Sequence, residues 1–203
     1  MNVQDDFDDD DDEADEALWE GDSPELEALG RFAGLIERLP WFAMVGQPLS
    51  ARDIEVARDY LDALGFPDTE TVPLEDWLEA ADAALNPDID TTWWETEEQL
   101  RAGLTMDAID ALGEEALDLA LTHIARRVAA TIKPQIELAA ALTGGDDPEL
   151  LEAALGAAAQ ACHQAALVLA AGAEPDHPFA HKLRLYEQGR WPVSVVGGTF
   201  SLF

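Results

Sequence analysis

The chain reads as an all-α protein: a multi-helix bundle built on a long helical hairpin, with a disordered acidic N-terminal tail and a small C-terminal β-hairpin. Three observations predict this. Alanine, leucine, glutamate and aspartate dominate the composition, which favours helices. From residue 23 on, apolar side chains recur at three- and four-residue spacing between proline and glycine breaks. After Gly189 the period changes, and "VSVVGGTFSLF" reads as two short strands about Gly197-Gly198, a hairpin turn signal.

The opening "DDFDDDDDEADE" is of low complexity. Its like charges repel and little of it can be buried, so residues 1–21 read as a disordered tail. Phe7 and Trp19 interrupt the acids and are candidate docking residues for a basic groove. Residues 22–203 read as one helical domain. It divides into short helices over 22–112, a long hairpin over 113–172 and a cap over 173–203.

In "SPELEALGRFAGLIERLP", Ser23 is an N-cap, Pro24 the first helical residue and Pro40 the stop. Leu26, Leu29, Phe32, Ile36 and Leu39 form its apolar stripe. "SARDIEVARDYLDALG" opens on a capping box from Ser50 to Asp53 and closes at Gly65. Ile54, Ala57, Tyr60, Leu61 and Leu64 form the expected buried face. "PLEDWLEAADAALNP" and "TTWWETEEQLRAGL" are the third and fourth helices. Trp93 and Trp94 point about 100° apart on the latter, so at least one packs inward.

Glu114–Leu142 carries the most regular apolar spacing, from Leu117 through Ile124, Val128 and Ile132 to Ile136. Pro134 removes a backbone donor inside it and clashes with the Ala130 carbonyl, which predicts a kink or break. "TGGDDP" turns the chain, and the alanine-rich Pro148–Ala171 returns as the second arm. His177-Pro178 then starts a helix on which Phe179, Leu183 and Tyr186 share a face.

The formal charge is −32, and it is segregated. Residues 68–118 hold sixteen acids and only Arg101. Residues 119–145 and 177–203 are each +2. A surface this negative repels nucleic acid and anionic lipid. The absence of an apolar N-terminal run and of a long uninterrupted apolar segment argues against a secretory leader and a membrane span. With the lone Cys162, a cytoplasmic location is the expectation.

Catalytic motifs are missing: no phosphate-cradling glycine loop, no Gly-x-Ser-x-Gly and no Cys-x-x-Cys. Asp88 and Asp90 resemble the start of a calcium loop, but Trp93 stands where glycine is needed. His177 and His181 have the spacing of a metal pair, yet Pro178 disfavours helical geometry for the first, so no metal and no cofactor is expected.

Three readings remain. The first is a non-enzymatic acidic module that presents negative surface to a basic protein partner, with Asp88, Asp90, Glu97 and Glu98 as further contact candidates. The second is a ligand-binding protein or enzyme with a polar site between the long helices and the C-terminal helix. Its candidate residues are His123, Arg126, His163, His181 and Arg184. The third is a homo-oligomeric assembly subunit, should the face of Phe179, Leu183 and Tyr186 be exposed.

Overall fold

A computed structural model describes residues 23–203. The acidic tail, with Phe7 and Trp19, lies outside the described residues. Among these, seven helices and one small sheet follow in order: α1 Pro24–Ile36, α2 Ala51–Leu64, β1 Glu70–Pro73, α3 Trp77–Ala84, α4 Thr91–Leu112, α5 Glu114–Thr143, α6 Pro148–Ala170, α7 Pro178–Glu187, β2 Pro192–Val196 and β3 Thr199–Leu202.

The helix starts are chemically marked. The Ser23 hydroxyl accepts from the Leu26 amide and Pro24 occupies the first turn. The Ser50–Asp53 capping box is complete in both directions. Asp76, Asp90 and Asp147 cap α3, α4 and α6. The His177 ring accepts from the Phe179 amide at 3.1 Å, with Pro178 first in α7.

The hairpin of α5 and α6 is the centre of the molecule. Helix α6 is long and apolar enough by length and composition to cross a membrane, with a mean hydropathy of 1.3. Here that apolarity is spent on packing: α5, α4, α1 and α7 all lie against it. Its alanines, fully buried at 154, 158 and 161, let these neighbours approach closely.

Pro134 does not break α5. The helix is continuous through it. Pro134 and Ala130 both face solvent, so the carbonyl deprived of its helical donor is open to water.

The turn between α5 and α6 is closed by a tight contact. A Cβ on Gly145 would stand 2.8 Å from the Trp77 ring, so only glycine admits α3 there. The same tryptophan donates from Nε1 to the Thr143 hydroxyl at 2.7 Å.

The sheet order is β1-β3-β2, with β1 parallel and β2 antiparallel to β3. The expected hairpin is present. The third strand, from "ETVP", was not read from the sequence; four residues are too short for a strand period to show. The Trp191 and Phe203 backbones exchange two further bonds, at 2.7 and 2.9 Å, beyond the hairpin's end.

Two apolar cores result. The larger surrounds α6. The smaller joins α2, the first turn of α4, α7 and the sheet through Tyr60, Trp93, Leu185, Val195 and Phe200. Trp93 packs inward and Trp94 is exposed. Ile54, expected on the buried face of α2, is 40% exposed; Asp53 and Val56 take the inward positions instead. Phe179, Leu183 and Tyr186 are buried in the larger core, so they offer no exposed assembly face.

Candidate functional site

Four helices meet at one carboxylate. Lys182 Nζ of α7 donates to both oxygens of Glu97 of α4, at 2.8 and 2.9 Å. The Tyr60 hydroxyl of α2 donates to Glu97 Oε1 at 2.7 Å and accepts from Trp93 Nε1 at 2.8 Å. Gln164 of α6 approaches Glu97 Oε2 at 3.5 Å, and its own side-chain oxygen has no hydrogen-bond partner. Lys182 also lies 5.9 Å from the centre of the Trp93 ring. Burial, and then the Glu97 charge, push the Tyr60 phenol well above its ordinary pKa.

Glu97 is only 2% exposed and Lys182 5%. None of the cavities described below is lined by Glu97, Lys182 or Tyr60. The carboxylate is saturated by donors and sealed, so it joins helices and cannot meet a partner. The expectation that Glu97 displays its charge outward is therefore corrected. The available signal was its position: Glu97 shares an i,i+4 face with Trp93.

A second buried cation closes the C-terminal segment onto α2. Arg190 Nε and Nη2 donate to Asp53 Oδ2 at 3.2 and 3.0 Å. The guanidinium also donates to the carbonyls of Met44, Gln47 and Pro48. Asp53 Oδ2 accepts from the Ser50 amide as well, at 2.7 Å. One carboxylate thus caps α2 and anchors the arginine. Gly189, just before it, has φ +78 and lies where a Cβ would stand 3.0 Å from the Met44 amide nitrogen.

The five ligand candidates do not converge. Buried His123 accepts at Nε2 from Arg127 Nε at 2.9 Å, and Arg127 reaches on to Glu37. Arg126, one residue away, faces solvent. His163 lines an apolar groove of 470 Å³ between α5 and α6, with Leu121, Ile124, Val128, Glu152 and Leu155. Burial first, then the Arg101 charge, lower its pKa. His181 accepts at Nδ1 from Arg184 at 2.9 Å. Burial and that arginine keep His181 in its neutral form to lower pH. Arg184 also donates to the Pro175 carbonyl and lines a 390 Å³ trough between α1, α6 and α7. His163 and Arg184 thus open into separate cavities. Cys162 is fully buried and its thiol is pushed up to about 12, which keeps it inert. Among the described residues no group of three or more His, Cys, Asp and Glu could hold a metal ion.

The acidic candidates separate by role. Asp88 is exposed, and its amide donates to Asn86 Oδ1 at 2.9 Å. Asp90 spends its carboxylate on the α4 cap, accepting from Thr92 and Trp93. Glu98 is half-buried and paired with Arg101 at 2.7 Å, which lowers its pKa. Along the chain on either side of Asp88 the exposed charges are acidic. No lysine or arginine occurs between Arg58 and Arg101, while Asp62, Asp68, Glu70, Glu75, Asp76, Glu79, Asp82 and Glu95 all face solvent.

No protein-family model matches the chain, and neither a curated protein nor a solved structure does. The class of this protein therefore rests on its fold: a seven-helix bundle, over the described residues, closed by a three-stranded sheet.

Proposed function

We propose that this protein is a non-enzymatic binding module that offers acidic surface to a basic protein partner. The observation that carries this reading is the run of exposed acids along the chain from Asp62 to Glu95, a stretch that contains no lysine or arginine. Its field steers a cationic partner and disfavours an anionic one. Further support comes from the fate of the cations. Lys182 and Arg190 are spent in buried pairs, and Arg31, Arg52, Arg101 and Arg127 pair with neighbouring glutamates. The basic C-terminal segment therefore adds little positive surface. Affinity capture with the full-length chain, and with a variant carrying Asp68→Asn, Glu75→Gln, Asp82→Asn and Glu95→Gln, tests this across salt concentrations. The expected result is a defined basic protein, bound at low salt and lost from the variant. Capture of the same protein by both chains would overturn the reading, as would no basic protein at low salt.

A further inference from the structure

The open groove between α5 and α6 is walled by Leu121, Ile124, Val128 and Leu155. It runs on into a second cavity of 210 Å³ toward Pro148, the two sharing Glu152 and Leu155. The only titratable groups on the combined lining are His163, Glu152, Lys133 and Glu137. We propose that this groove binds a small amphiphilic cation, a primary amine on an aliphatic chain, with its ammonium group at Glu152 and its chain along Val128 and Ile124 toward His163.

Three observations select that ligand. The first is Gly156, in the middle of α6 and on the groove wall. Glycine inside a helix costs about 1 kcal/mol relative to alanine, and alanine is the commonest residue of this helix. A Cβ built on Gly156 meets no atom within 4 Å, so no neighbour requires the glycine. What its missing side chain provides is room in the groove. The second is charge. Lys133 and Glu137 stand one turn apart on α5 and offset each other. Burial lowers the pKa of half-buried His163, which keeps its ring neutral and able to accept a hydrogen bond. Glu152 is left as the uncompensated charge, and among the described residues no hydrogen bond or ion pair engages its carboxylate. A cation is therefore favoured and an anion repelled, the more so in a chain of charge −32. The third is shape. Glu152, Gly156, Ala159 and His163 share one face of α6. From Glu152 to His163 that helix rises about 16 Å, which suits an extended aliphatic chain, and 470 Å³ is the size of a small-molecule site.

The test is a methyl NMR titration of the full-length chain with decylamine, decanol and decanoate, each below the concentration at which it aggregates. Decylamine should shift the Ile124, Val128 and Leu155 methyl resonances saturably and bind roughly fivefold more tightly than decanol, the scale of one exposed ion pair. Decanoate should not bind. Glu152→Gln should remove the amine's advantage and leave decanol unchanged. Gly156→Leu should abolish binding of both by filling the groove. It should also raise the melting temperature, because leucine is the better helix former and its Cβ has room. Absence of a saturable shift overturns the proposal. So does equal affinity for amine and alcohol, or an amine preference that survives Glu152→Gln. Binding that survives Gly156→Leu overturns it too, as do shifts of equal size at Leu183, which lies on a different cavity. None of these outcomes depends on a basic protein, so the proposed function and this site stand or fall separately.

Discussion

The stretch from Asp62 to Glu95 and the ending from Asp176 to Phe203 use charge in opposite ways. The first keeps nearly all its carboxylates in water and contains no cation. The second brings Lys182 and Arg190 into the interior, each against an acid from far upstream in the chain. The same −32 protein thus holds a solvated charge surface and a desolvated charge framework. Net charge describes only the first. In the second each ion was taken out of water, and only full pairing makes that tolerable.

The largest effect that could break this contrast is loss of the ending. Deleting Trp191–Phe203 removes β2 and β3, unpairs β1 and strips Trp191, Phe200 and Phe203 from both cores. The truncated chain is expected to aggregate or lose its cooperative thermal transition. A soluble truncation with an unchanged melting temperature would make the ending dispensable. Next is Lys182→Met, which leaves Glu97 buried without its cation. The expected loss is about 3–5 kcal/mol, read by urea denaturation.

A smaller effect follows from the histidines. Burial is the leading cause that lowers His163, His177 and His181 in the fold. The neutral ring is the folded form, and the unfolded chain takes up protons first as pH falls. The stability they contribute is complete above pH 6.5, their ordinary pKa, and is lost as pH falls from there through the folded values. Denaturation at pH 7.5 and 5.5 should show lower stability at the lower pH, and His163→Gln should reduce the difference. Smallest are the solvated acids. Asp68→Asn, Glu75→Gln, Asp82→Asn and Glu95→Gln should each change stability by no more than about 0.5 kcal/mol, because water already satisfies them. A large loss from any of them would place that acid in the framework.

How much of this was legible depends on what each residue's partner is. The helices were legible because their signals are local: Ser23-Pro24, the Ser50–Asp53 box, Gly65, and His177-Pro178 each set a boundary through nearby backbone groups. The hairpin at Gly197-Gly198 was legible for the same reason. Strand β1 was not, because it exists only through β3, far along the chain. The buried pairs were hidden likewise. Glu97 and Lys182 are 85 residues apart, and Asp53 and Arg190 are 137 apart. What could be read was a charged residue inside an apolar stripe: Glu97 one turn from Trp93, and Lys182 between Phe179 and Tyr186. The candidate histidines and arginines were read from type alone, and the fold distributes them over separate faces.

The desolvated charge framework is tested most directly by a double-mutant cycle on the buried pair, with Lys182→Met, Glu97→Leu and both together, each followed by urea denaturation. The two losses are expected to be far from additive, with the double variant more stable than Lys182→Met alone, because it removes the uncompensated carboxylate. Two small, additive losses would contradict it, and would mean that Lys182 and Glu97 remain solvated like the acids of the Asp62–Glu95 surface.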